Sequence, residues 1–189
     1  MSSITQSIRN GVDTGRLYAT LDAVKAQPEL ATFQFRASNR WIDGAHNQST
    51  IQAFYGAGQE DDSRTESFVV DAGEPPVLLG ANEGPNPAEY LLHALAACLT
   101  TSIVSVAAAR KVELTKVEST LTGDMDLRGA LGLDDAYRNG FTRISASFTV
   151  SGEAAPEKLR EVVDRAAKRS AVFDMVSHGV PVTIGVETV

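Results

Sequence analysis

Hydrophobic positions along this chain change period several times, and each change marks an element. Leu17, Leu21 and Val24 recur at helical spacing and Pro28 follows, so the pattern predicts a short helix over residues 14–27. Over residues 32–42 the period drops to two, as in a strand. Phe33, Phe35, Ala37 and Asn39 fall on one face, and Gln34, Arg36, Ser38 and Arg40 on the other. Asp43 and Gly44 then signal a turn, and residues 50–55 are expected to return as the hairpin partner. Residues 60–64 read as a charged connector and residues 67–71 as a third short strand, ended by Pro75 and Pro76.

A loop rich in Gly, Asn and Pro covers residues 80–87 and runs directly into a long helix predicted over 87–110. Asn86 suits the N-cap, Pro87 the first helical position, and Glu89 stands three residues after the cap, as in a capping box. At 1.5 Å rise per residue such a helix is about 36 Å long. Arg110 and Lys111 place positive charge at its C-terminal end, where the dipole favours it. Two strands follow, over 112–127 and 141–151, joined by a Gly- and Asp-containing connection. Pro156 opens a second helix with Leu159, Val162, Val163 and Ala166 on one face. Residues 180–189 are β-rich, and Pro181 there suits an edge or entry position. Strands segregated from helices indicate an α+β fold rather than a doubly wound parallel sheet. No internal repeat and no break in composition interrupts this order, so one domain over 1–189 is expected.

Composition narrows the function. With 43% hydrophobic and 22% charged residues the chain falls in ordinary globular usage, which argues against general disorder. Its 17 Lys and Arg are outnumbered by 24 Asp and Glu, which argues against a non-specific nucleic-acid binder. The stretch 90–109 contains no Asp, Glu, Lys or Arg and is long enough for a membrane span. It also holds His93, Thr100, Thr101, Ser102 and Ser105, and most of its apolar residues are Ala, so it reads as a core helix and not as a membrane span. Residues 1–15 are polar and lack the apolar run of a signal peptide. The expectation is a soluble, cytoplasmic protein.

Cys98 is the chain's one cysteine. It excludes a disulfide within the chain, a zinc site of several thiolates, and a two-cysteine redox cycle in one subunit. On the long helix, Leu91, Ala94, Leu95, Thr101, Ser102 and Ser105 share a broad face with it. His93 lies about 140° and Glu89 about 180° round an ideal helix from Cys98, so neither forms an obvious dyad with it. Cys98 stands several turns from the helix N-terminus, beyond the reach of the dipole. Activation has to come from elsewhere, such as an arginine on a strand or a second subunit. Most free cysteines behave as small buried hydrophobes, so the thiol by itself decides nothing.

Other constellations are weaker. His93 and Glu89 have i, i+4 spacing but no third ligand in view, so no metal is expected. Ser170, Asp174 and His178 are triad residue types without a nucleophile elbow. Asp124, Asp126, Asp134 and Asp135 lack the calcium-loop pattern. Trp41, Tyr90 and Phe173 read as core, interface or pocket-lining residues.

The run Gly84-Pro85-Asn86-Pro87-Ala88-Glu89-Tyr90-Leu91-Leu92, continuing through Ala94-Leu95-Ala96-Ala97-Cys98-Leu99, resembles the signature of the OsmC/Ohr-like proteins, the osmotically inducible and organic hydroperoxide resistance proteins. The resemblance extends from about Phe33 to the C-terminus and leaves residues 1–31 as an added N-terminal helical extension. It implies an interlocked homodimer with antiparallel sheets around paired central helices, and no cofactor. It also implies a thiol peroxidase in which a cysteine on the central helix is oxidised to a sulfenic acid and a second cysteine resolves it, with an arginine and a glutamate activating the first thiol.

Carried over by position, Cys98 takes the peroxidatic place, and the resolving place falls near Ser170, which is not a cysteine but which the spacing from Val162, Val163 and Ala166 keeps on the buried face of the second helix. Arg36 is favoured slightly over Arg40 as the arginine. Ala88 stands where the glutamate is expected, and Glu89 is displaced by one residue. Ser170, Arg40, Leu95 and Phe173 are the candidate binding residues beside catalytic Cys98, Arg36 and Glu89. The expected function is one-cysteine, thiol-dependent reduction of organic hydroperoxides or related electrophiles at Cys98, with a second copy of the chain, a small hydroperoxide or apolar ligand, and an external thiol reductant as partners. The alternative is a non-peroxidatic relative that binds a small apolar ligand at the dimer interface.

Overall fold

The structure, a computed structural model, describes residues 8–188. Its elements are β1 (Ile8–Arg9), β2 (Val12–Asp13), α1 (Thr14–Ala26), β3 (Ser38–Asp43), β4 (His46–Ile51), β5 (Phe54–Gly56), β6 (Gln59–Asp61) and β7 (Phe68–Ala72). They continue with α2 (Pro87–Ala109), β8 (Leu114–Asp124), α3 (Leu127–Ala130), β9 (Arg143–Gly152), α4 (Pro156–Ala167) and α5 (Ala171–His178). The fold is α+β with antiparallel sheets, and two compact units divide it: residues 13–91, and residues 8–12 with 92–188. The part of the expected N-terminal extension at residues 1–7 lies outside the described residues.

In the first unit, Asp13 caps α1 by accepting from the Arg16 backbone at 3.0 Å. Strands order β3-β4-β7, with Arg40 opposite Gln48 and Asn47 opposite Ala72. The first strand is shorter than its alternation predicts. Ahead of Ser38, only Gln34 makes a bridge, to Tyr55, because Phe33 and Phe35 leave the ladder to stack with Phe54 at centroid distances of 5.4 to 6.3 Å. The hairpin return is His46–Ile51 rather than 50–55. Residues expected as a charged connector instead supply β6, paired with β5 across Ala57 and Gly58, both at positive φ.

The loop ahead of α2 is tied to β7. Gly84 passes so close to the Asp71 carbonyl that a Cβ there would collide with it, and Tyr90 donates its hydroxyl to the same carbonyl at 2.6 Å. Asn86 and Glu89 form the expected capping box, each side chain accepting from the other's backbone N–H at 2.8 Å.

The second unit holds the main core. Ile103, Val106 and Ala107 of α2 pack with Val112, Leu159, Val162 and Ala166, and β8 and β9 add Val117, Phe148 and Val150. Lys111 adopts the left-handed conformation (φ +58°) and the Val112 N–H returns to the Ala107 carbonyl at 2.9 Å, so the chain leaves α2 in a Schellman turn. Asn10 imitates a strand neighbour: its amide donates to the Val112 carbonyl and accepts from the Leu114 N–H, both at 2.9 Å.

Further expectations are corrected. The strand predicted to run to 127 stops at Asp124, because Asp126 caps the short α3 instead. The second helix does not run through Ser170 but breaks after Ala167, and Ser170 becomes the N-cap of α5. Residues 180–188 form no strand: extended chain becomes a strand only beside a neighbour that takes its N–H and C=O groups, and none of the described residues does so. Val180, Val182, Ile184 and Val186 are left exposed. The long helix, read as a core helix, buries Leu95, Leu99, Ile103, Val106, Ala107 and Ala108, while Leu91, His93, Ala97 and Thr101 are exposed in the single chain. By length and composition it could cross a membrane.

Candidate functional site

Cys98 sits at mid-length in α2, half-buried, with the buried Leu95 one turn before it and buried Leu99 beside it. The helix break after α4 brings a hydroxyl to its sulfur. Arg169 and Ser170 turn their N–H groups back to the Ala166 and Ala167 carbonyls at 3.0 and 3.2 Å, tightening the end of α4. Ser170 then becomes extended (φ −78°, ψ 116°) and starts α5. Its Oγ accepts from the Phe173 N–H at 3.3 Å and donates to Cys98 Sγ at 3.1 Å, a contact between residues 72 positions apart. Ser170 is 2% exposed. Phe173, whose backbone anchors this serine, keeps its ring partly exposed.

The remaining candidates stand in the first unit. Arg36 is bound in a fork by Glu60, Nη1 to Oε2 at 2.9 Å and Nη2 to Oε1 at 2.7 Å, and also donates to Gln34 Oε1. The hydrogen bonds between Arg36 and Glu60 raise the arginine pKa and lower that of the glutamate. Arg40 donates to Gln48 at 2.8 Å. The carboxylate of Glu89 is taken up by the capping box.

Sequence reasoning missed Glu60 as the partner of Arg36, and missed a polar cluster on β4 and β7. His46 Nε2 lies 2.8 Å from Asp71 Oδ1, and Gln48 Nε2 donates to the same oxygen at 3.1 Å. Those hydrogen bonds, His46 first, hold the Asp71 carboxyl below its ordinary value. His46 and Gln48 stand two apart on one strand face, a spacing that could have marked them. Among the described residues no three His, Cys, Asp or Glu side chains converge as metal ligands.

Two open recesses accompany these groups. One, of about 370 Å³, lies over one face of the first sheet beside Asn39, Asn47, Ser49 and Tyr90. The other, of about 590 Å³, is floored by Phe148, Val150, Leu159 and Val163. Neither is lined by Cys98.

Comparison with known proteins bears on this geometry. The family model described as OsmC-like protein matches residues 80–185, more than half of the chain, and includes both Cys98 and Ser170. Solved structures share the fold at low identity. An OsmC-like protein from Mycoplasma pneumoniae is 15% identical over 77% of this chain and 88% of its own, with a TM-score of 0.58. An organic hydroperoxide resistance protein OsmC from Legionella pneumophila is 15% identical over 77% and 91%, with a TM-score of 0.51. An organic hydroperoxide resistance protein from Elizabethkingia anophelis is 12% identical over 76% and 89%, also at 0.51. Among curated proteins, no sequence matches this chain.

Proposed function

The chain belongs to the OsmC-like protein family, and from that premise we propose that it is a one-cysteine, thiol-dependent reductase of organic hydroperoxides. Family membership fixes a fold and not a reaction, so the reading has to rest on the site. It is carried by one observation: the lone thiol is half-buried and meets a buried hydroxyl instead of a wholly apolar shell.

The Cys98 thiolate attacks the outer oxygen of a hydroperoxide ROOH. An S–O bond forms, the O–O bond breaks, and the departing alkoxide takes a proton to leave as ROH. Cys98 becomes a sulfenic acid. A first external thiol condenses with it, releasing water and leaving a mixed disulfide. A second attacks that disulfide, freeing the Cys98 thiolate and an external disulfide. One hydroperoxide and two thiols thus give one alcohol, one water and one disulfide, with no second protein thiol required.

A second copy of the chain completes the arrangement, since α2 exposes Leu91, His93, Ala97 and Thr101 with no Asp, Glu, Lys or Arg among them. Arg36 is the first choice for balancing charge at the sulfur and Arg40 the second. Leu95 and Phe173 supply apolar contact for the alkyl group of the substrate. The protein acts in the cytoplasm, where small thiols are available as reductants.

Mass spectrometry of Cys98 after exposure to a series of organic hydroperoxides, with a 1,3-dione trap present, tests the reading. The expected result is a trapped sulfenic acid in the native chain, hydroperoxide turnover with an added monothiol, and loss of turnover in Cys98→Ser. A Cys98 that stays reduced while small apolar molecules raise the melting temperature overturns the reading in favour of ligand binding.

A further inference from the structure

We propose that Ser170 is a positioning residue for Cys98: its hydroxyl, preset by the start of α5, holds the sulfur in place and stabilises it while it carries negative charge. The proposal deepens the peroxidase reading and rests on it. Ser170 stands near where the family resemblance places a resolving thiol, and does different work there.

Geometry limits what the hydroxyl can do. A serine offers one O–H donor and two acceptor lone pairs. Capping α5 uses only a lone pair, because the Phe173 N–H is the donor in that contact. The hydroxyl hydrogen is therefore free of the cap, and the atom it meets is Cys98 Sγ at 3.1 Å. At 2% exposure there is little water to take it instead. The backbone on both sides is fixed: the Ser170 N–H donates to the Ala167 carbonyl at 3.2 Å, and the Ser170 carbonyl accepts from the Asp174 N–H at 3.0 Å. The donor is thus aimed before reaction and needs no reorganisation when charge develops, the condition under which a buried hydrogen bond is most effective.

The chemistry fits the same contact. A thiolate can only accept, so in the reactive form Ser170 must donate, and a hydrogen bond to an ionised acceptor is about twice as strong as a neutral one. After attack the sulfur carries an oxygen, to which the hydroxyl can donate or from which it can accept. It cannot condense to a disulfide, so the oxidised sulfur waits for an external thiol. That combines stabilisation with no resolution.

Alkylation of Cys98 by iodoacetamide at neutral pH, read together with ultraviolet thiolate absorbance, tests this without any hydroperoxide. Ser170→Ala removes hydroxyl and cap together, whereas Ser170→Gly removes the hydroxyl but retains an acceptable N-cap. The expected result is that both alkylate about tenfold more slowly and lose thiolate absorbance, the size of effect expected from one charge-assisted hydrogen bond. Ser170→Thr, which keeps the hydroxyl, restores most of the rate.

If Ser170→Gly alkylates at the native rate, the serine is a cap only and the proposal is overturned. Should the smaller variants fail to fold, Ser170→Cys remains informative. On hydroperoxide treatment it is expected to lose two hydrogens in a disulfide to Cys98, and a persistent sulfenic acid there would overturn the placement of the hydroxyl. A native Cys98 that alkylates readily yet ignores hydroperoxides would sink the peroxidase reading while leaving this contact intact.

Discussion

Asp126 has two tasks at the start of α3. Its carboxylate accepts from the Arg128 backbone at 3.0 Å and from the Arg128 guanidinium at 3.0 and 2.6 Å, while the same guanidinium lies 3.6 Å over the Tyr137 ring. Hydrogen bonds from Arg128, side chain before backbone, lower the Asp126 carboxyl from 3.8 to about 2. A carboxyl depressed in the folded chain contributes stability that is fully present above its unfolded value. That contribution is lost as pH falls through the folded one. The Asp126–Arg128 turn therefore holds at neutral pH and loosens between 3.8 and about 2. Carbon-detected NMR titration of Asp126 should place its midpoint near the lower figure, and an inflection at the upper figure would refute the pairing. Asp71 follows the same sign through His46 and Gln48: its contribution is present at neutral pH and disappears in acid.

Elements that the sequence made legible are those whose causes are local. Asn86, Pro87 and Glu89 start α2 where their chemistry requires, and Asn86→Ala is expected to lower stability by about 1 kcal/mol, read by denaturant unfolding. The break between α4 and α5 was hidden because Ser170 follows Ala166 by four residues, in phase with Leu159 and Val162, and no Gly or Pro announces it. Cys98 and Ser170 could be singled out separately, but their contact depends on how the helix break turns the chain, which no periodicity encodes. Asn10 went unread for a similar reason: its Asn-Gly turn is visible, but its carbonyl and N–H partners lie more than a hundred residues away. Replacing it by Ala leaves both of those backbone groups without their partner and is expected to lower the melting temperature by several degrees.

At the scale of the molecule, apolar surface remains uncovered in the single chain. Trp41, Phe35 and Phe68 are exposed, as are Val180, Val182, Ile184 and Val186. Sedimentation is expected to give twice the 20.1 kDa chain mass, and the double change Val182→Lys with Ile184→Lys to shift it toward the monomer. A native chain sedimenting as a monomer would refute the dimer.

The serine at position 170 has one more consequence, in the entropy of the unfolded chain. A disulfide across those 72 residues would close a large loop and stabilise the oxidised fold by about 4 kcal/mol on the chain-entropy account. With a hydroxyl there, oxidation of Cys98 closes no loop. Melting of the oxidised and reduced forms is therefore expected to stay close together, and the folding equilibrium does not report the oxidation state of Cys98.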